Sequence, residues 1–447
     1  MSVPLSASLA GQKNLSDKGL LRNFMPNMAI YLFETLQLRQ RFYPLTRNKN
    51  VADLQLGGYE LAFWWQHYNE EIIHILTEDY LQTTIPAFME PGDILVHGAS
   101  YPGQMRTLLK KYHSDKKGVG FKLKGINVEK TDGIAAVCIK ERLSTEAVRT
   151  CLFNSTDADI ALAALLEGQN ITWTIPEGNI YLSTPEQLLK WQGAGIRMSV
   201  AAFTDIMEGT TGRESQPLDK SNRITGDHPV IIKEGAIVRM SLLNTESGPI
   251  CIGKDASVME GSMLRGPLYL GDRSVIKMGT RIYGPVVTGA DCVLGGEIKN
   301  VIFHEGSNKG HEGYLGDSII GAWCNFGAGS GGSNLKNTAG EVRLYDYASQ
   351  NYRKVGLKFG ALVGDYTRTG VGTQLTTGSS IGLCCHLFGQ QMPPRLVADF
   401  SWGTGHDLDT YQLEKAIQHI GQWRKFKGST LTDREIRILH HIFGQAR

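Results

Sequence analysis

A chain of 447 residues with 46 Lys and Arg against 44 Asp and Glu has material for two or more domains and a net charge of only +2. The two signs are mixed and no basic block stands out, so nucleic acid is not an expected partner. No apolar window of about 18 residues exists, so no membrane span is expected either. Seven cysteines without a CxxC pair read as reduced thiols in a cytoplasmic protein.

Residues 1–27 lack a long apolar stretch and read as a flexible extension rather than a signal peptide. Residues 28–204 read as an α/β domain. The apolar run AIYLFE at 29–34 is a strand, and a loop carrying Tyr43, Pro44, Leu45, Thr46 and Arg47 follows. Leu61, Trp64, Trp65 and Tyr68 at helical spacing predict a helix over 59–72 whose aromatic residues pack a core. Strands are expected at 93–97 and 134–139, with a helix at 104–112 between them. That alternation predicts a largely parallel sheet. Thr184, Pro185 and Gln187 form a capping box opening another helix, and the polar stretch 205–229 reads as a linker.

Beyond it the chain changes period. Ile252, Val258, Leu264, Leu270, Ile276 and Ile282 recur every sixth residue, and Ala256, Ser262, Leu268, Ser274, Thr280 and Val286 follow at a fixed offset. Leu357, Val363, Thr369, Leu375, Ile381 and Leu387 repeat the pattern. A step of six fits neither a helix nor a strand over this length. It fits a solenoid of three flat sides per coil, roughly nine coils over 230–390. Residues 391–447 read as a connector and two amphipathic helices. Asp409 with Gln412 and Thr432 with Glu435 are their capping signals, and Gly428 is the break between them. The helices are expected to close the open end of the solenoid.

The hexad is disturbed over 295–337, where Glu297, Lys299, His304, Asn308, Lys309, His311, Tyr314, Asn325, Asn334 and Lys336 gather. Polar residues that interrupt a repeat mark a functional site. Histidine, with an ordinary pKa near ~6.5, suits proton abstraction, and Arg281 with Lys299 suits a phosphate.

The stretches SNKGHEGYLG, WCNFGAG and SNLKN resemble the acetyltransferase half of the bifunctional N-acetylglucosamine-1-phosphate uridyltransferase/glucosamine-1-phosphate acetyltransferases. A divergent branch of sugar nucleotidyltransferase-like proteins with the same domain order is more similar still. The resemblance implies a nucleotidyltransferase-like (Rossmann-like) N-terminal domain followed by a left-handed parallel β-helix of hexapeptide repeats. It also implies a homotrimer that takes acetyl-CoA and an amino-sugar phosphate in UDP-N-acetylglucosamine biosynthesis. By that resemblance His311 is the general base, with Asn334 and Glu297 beside it. Arg281, Lys299, Tyr314 and Asn325 bind the sugar phosphate, and the Ala328 turn contacts the acetyl group. Two departures touch the substrate: Leu335 replaces an aromatic residue after Asn334, and the segment between Asn337 and Lys354 is longer than in the bifunctional enzymes.

The N-terminal motifs are sparser. Phe33-Glu34-Thr35 and Pro44-Leu45-Thr46-Arg47-Asn48-Lys49 stand where the branch carries an acidic pair and a P-L-T-x-R-P-like loop. Arg47 and Lys49 are the remaining nucleotide-binding candidates. Mg²⁺ is expected only if this domain is active, and no protein metal site is assigned. The competing readings are a sugar-1-phosphate nucleotidyltransferase, a bifunctional enzyme, a non-catalytic scaffold and, last, a metal-dependent hydratase, whose His-x4-His pair is not matched by His304 and His311, seven apart.

Overall fold

The computed structural model describes residues 29–69, 72–100, 118–124, 131–169, 171–174, 181–208 and 216–445. The extension over 1–27 and the helix expected at 104–112 lie outside the described residues. By contacts the chain separates into two units. The first takes in Met1–Phe33, Ala62–Leu76 and Thr84–Ile180; the second takes in Glu34–Leu61, Thr77–Thr83 and Tyr181–Arg447.

In the first unit, Ala29–Phe33 runs parallel to Ile72–Leu76 on one side and to Ile94–His97 on the other. Thr131–Cys138 then runs antiparallel to both its neighbours, Ile94–His97 and Gly118–Lys124, and Ile171–Thr174 pairs parallel at the edge. Five of the six strands therefore run one way and Thr131–Cys138 alone is reversed, so the sheet is largely parallel as expected, with one antiparallel insertion. Apolar runs cannot disclose strand direction, because a strand buried on both faces reads the same either way. Two helices, Thr145–Asn154 and Ala158–Leu166, pack Val148, Leu152, Leu162 and Leu166 against Tyr31, Phe33, Leu95 and Val137. Ser144 and Asp157 cap them, accepting from the amides of Ala147 and Ile160.

The second unit is a parallel β-solenoid. Each coil lays down three short strands, and successive coils stack in register: Val238 on Val258, Val258 on Ile276, Ile276 on Leu294. Ile252, Val258, Leu264, Leu270, Ile276 and Ile282 are all buried plugs of one narrow core. The small offset residues are buried too, and their chemistry explains their size. Ser262 Oγ donates to the carbonyls of Met259 (2.8 Å) and Lys277 (3.1 Å), and Ser307 Oγ donates to Gly321 (2.6 Å), so the bend's own carbonyls are satisfied. Cys292, Cys324 and Cys385 do the same with Sγ. All seven cysteines are free, and burial pushes Cys292 and Cys385 up to about 12.

The rungs begin at Arg223–Thr225 and continue to Ser401–Thr404, past both ends of the expected span. One interruption occurs. After the rung Gly331–Gly332 the chain leaves as a hairpin, Val342–Asp346 with Asn351–Gly356, and rejoins the stack at Ala361–Val363, which pairs with the same strand as before the excursion. Leu357, expected as a plug, is 57% exposed because it still belongs to the foot of that hairpin. Leu375→Ala is expected to cost about 2–5 kcal/mol and Leu357→Ala less than about 0.5 kcal/mol, measured by denaturant unfolding.

The long helix Pro185–Glu208 lies along one wall, setting Ile196, Val200 and Phe203 on the outward column Ile231, Cys251, Tyr269 and Val287. Its cap differs from the expected box: Gln187 accepts from the Ser183 amide (2.7 Å) and hydroxyl, and the Thr184 hydroxyl takes no part. At the far end Ser401–Thr404 pairs antiparallel with Asp407–Thr410, and this hairpin ends the stack. The C-terminal helices, Leu413–Phe426 and Asp433–Gln445, cover a flank instead of the end. There Trp323, Tyr366, Cys384 and Phe400 occupy successive corners with φ of 59, 62, 56 and 55°. Left-handed backbone is unfavourable for such residues, and their packing under Ile420, Leu439 and Ile442 offsets it. Of the two capping signals, Thr432 and Glu435 bond reciprocally, whereas Asp409 lies in a strand and Gln412 makes no side-chain cap.

Candidate functional site

Arg281, Glu297 and Tyr314 stand in register on successive rungs of one wall, and Tyr283 pairs with Lys299 in the same way. Alternation along a strand turns Arg281 with Tyr283, and Glu297 with Lys299, to the same outer face. Arg281 reaches the Glu312 carboxylate at 3.0 Å and lies 4.0 Å from that of Glu297. These pairs are well exposed and therefore weak, so an incoming phosphate can take the guanidinium. The Tyr283 hydroxyl donates to Glu297, which pushes the phenol up to about 12, and Lys299 lies 5.7 Å from the Tyr283 ring.

Beside them is a second polar row. Asp317, with φ of 46°, accepts from Asn300 Nδ2 at 2.6 Å and from Asn334 Nδ2. The Tyr314 hydroxyl lies on the same side of Gly316 as Asn334 Nδ2, and its pKa is raised to about 12 by burial and by the Asp317 charge. The ring of Tyr314 passes over Gly316. A Cβ at Gly316 would stand 2.1 Å from that hydroxyl and 3.0 Å from Asn334 Nδ2, so only glycine leaves the two in place.

His311 is exposed on the turn that leads into Tyr314–Ile320, next to Glu312, which bonds Arg281. The wall thus gathers Arg281, Glu297, Lys299, Tyr314 and Asn334, with the His311 turn reached through the Arg281–Glu312 pair. Asn325 does not join them within one chain. It stands on another wall, accepting from Asn308, and that column runs on to Arg368, which bonds the His419 carbonyl of the C-terminal helix. Ala328 lies at a corner, its carbonyl accepting from the Gly372 amide at 2.7 Å. His304 is buried, and burial holds its imidazole well below the ordinary range.

Arg47 and Lys49 already have carboxylate partners in the solenoid: Arg47 meets Asp399 at 2.7 Å and Lys49 meets Asp365 at 2.8 Å, both acids buried. Their loop is organised by Arg39. Fully buried, Arg39 donates to Glu34 (2.7 Å), Glu78, Tyr80 and the carbonyls of Thr46 and Lys49. Glu34 is neither solvated nor open to a metal; it also accepts from Thr77 Oγ1 and the Val51 amide.

Asp317, Asn300, Tyr283, Glu312 and Arg39 escaped the sequence reading. For Asp317 a signal exists, since an acid one residue after Gly316 interrupts the apolar hexad. Arg39 carries none, because its partners are scattered along the chain.

These parts define an α/β unit followed by a parallel β-solenoid with a six-residue repeat. Residues 30–205 match the sugar nucleotidyl transferase family. A bifunctional sugar-1-phosphate nucleotidylyltransferase/acetyltransferase from Sulfurisphaera tokodaii is 33% identical over 92 residues, which is 21% of this chain and 23% of that protein. The bifunctional protein GlmU of Methanococcus vannielii is 37% identical over 86 residues, 19% of this chain and 20% of that one. Each match therefore spans less than a quarter of the relative's length. Among solved structures, the polySia-specific acetyltransferase NeuO aligns with 42% of this chain and 84% of its own at 12% identity and a TM-score of 0.25. No helix among the described residues is long and apolar enough to cross a membrane.

Proposed function

We propose that the chain is an acetyl-CoA-dependent N-acyltransferase acting on an amino-sugar phosphate of the glucosamine 1-phosphate kind. One observation carries the reading: Arg281, Glu297 and Tyr314 stand in register, Tyr314 and Asn334 converge over Gly316, and Arg281 reaches the residue beside His311. Arg281 and Lys299 hold the phosphate, and the hydroxyl of Tyr314 orients the sugar ring. The substrate amine attacks the thioester carbonyl while His311 takes its proton. A C–N bond forms, the C–S bond breaks, and CoA leaves as the thiol. The Asn334 amide and the backbone near Ala328 stabilise the developing oxyanion.

Asn325 belongs to another wall, so its part in the site comes from a second copy in a cytoplasmic homotrimer. Leu242 and Met263, about half exposed on the column that continues to Arg281, supply an apolar seat for that copy.

The match of residues 30–205 favours a second reading, sugar-1-phosphate nucleotidyl transfer with Mg²⁺. The pairing of Arg47 with Asp399 and of Lys49 with Asp365 argues for the first, because both cations are already neutralised. Free-thiol release from acetyl-CoA with glucosamine 1-phosphate tests the first reading, and pyrophosphate release from UTP with a sugar 1-phosphate tests the second. Thiol release without pyrophosphate is expected. Pyrophosphate alone would reverse the assignment.

A further inference from the structure

The core column Val258, Ile276, Leu294 is aliphatic, and Phe326 continues it further along. Between Leu294 and Phe326 stands Lys309, paired in register with Leu294 and only 2% exposed. An aliphatic side chain would fill that rung without the desolvation of an ammonium, so solenoid packing does not account for a lysine there. Its Nζ donates to the His311 carbonyl at 2.6 Å and lies 3.4 Å from the Gly295 carbonyl.

Those two carbonyls belong to turns of adjacent coils that touch backbone to backbone. A Cβ at Gly295 would stand 2.6 Å from the Gly310 carbonyl carbon, and one at Gly296 would stand 2.8 Å from the His311 oxygen. Burial lowers the Lys309 pKa to about 8, against the pull of Glu312.

We propose that Lys309 is a positioning residue: from inside the core it ties the turn bearing His311 to the preceding coil and so fixes where the imidazole stands over the Arg281 wall. This rests on the reading of His311 as the base.

Lys309→Met in the full chain tests it. The rungs on either side are apolar, so the change removes a buried charge and keeps the fold. The Glu297 amide is a local reporter, since it donates to the Gly313 carbonyl at 3.2 Å. The expected result is a kcat lowered ~10-fold or more with both KM values within ~2-fold, and Glu297 amide exchange at least ~10-fold faster. Exchange at Ser257 and Val275, in earlier coils, should not change. Lys309→Leu should give the same pair of effects. Unchanged kcat and Glu297 exchange would overturn the proposal, as would faster exchange throughout the solenoid with a lowered Tm. Faster Glu297 exchange in Lys309→Met, combined with full turnover in His311→Ala, would leave the tie standing and remove the base assignment instead.

Discussion

Replacing His311 with alanine is expected to lower kcat about 100- to 10,000-fold, with the KM for the sugar phosphate little changed. An amine protonated at neutral pH must give up that proton before its nitrogen can attack, and His311 is an exposed imidazole on the turn beside this wall. His304, the neighbouring histidine in sequence, is buried and held neutral by its surroundings, so it offers no substitute. The phosphate contacts of Arg281 and Lys299 would survive the change, which is why the loss should fall on kcat. Steady-state thiol release measures both constants. A variant with wild-type kcat would remove His311 from the chemistry.

The second large effect concerns stability. Arg39→Leu is expected to destabilise the solenoid-bearing unit by about 3–5 kcal/mol, because Glu34 is then left buried without its cationic partner. Arg39 and Glu34 have side-chain exposures of 0% and 2%, and they meet at 2.7 Å. The same guanidinium also holds the carbonyls of Thr46 and Lys49, so its loss should release the loop that carries Arg47 and Lys49. Adding Glu34→Leu should recover much of the loss, since the fully buried carboxylate is then removed and, of its carboxylate partners, only the partly exposed Glu78 has lost the guanidinium. Denaturant unfolding of the single and double variants checks this, and a single-variant change below about 1 kcal/mol would contradict it.

Most of the solenoid was legible because its rule is local. A plug every sixth residue and a small hydroxyl or thiol at the bend are properties of one coil, so Ile252 to Ile282 could be read directly. Leu357 misled because it keeps the phase of the plugs while standing at the foot of a hairpin, and phase does not disclose whether the chain has left the wall. The corner residues Trp323, Tyr366 and Phe400 were not read as a column, since their stacking depends on coils that the hairpin separates. They are also what placed the terminal helices on a flank rather than the end. In the first unit, strand positions followed from apolar runs, but their directions came from pairings that no run of residues encodes.

The site divides along the same line. His311, Tyr314 and Asn334 belong to short local motifs, so the sequence alone singles them out as candidates. Asp317, which joins Asn300 to Asn334, acts through a backbone conformation that spacing alone does not show. The cations of the N-terminal loop were visible as residue types, while the carboxylates that neutralise them lie more than three hundred residues further along the chain.

Calorimetric titration of glucosamine 1-phosphate into the full chain, in wild type, Arg281→Gln and Arg47→Gln, tests most directly whether the solenoid wall is the sugar-phosphate site. Arg281→Gln is predicted to weaken binding ~10-fold or more through loss of a charge-assisted contact, with Arg47→Gln within ~2-fold of wild type. Wild-type affinity in Arg281→Gln, with the loss appearing in Arg47→Gln alone, would contradict the account.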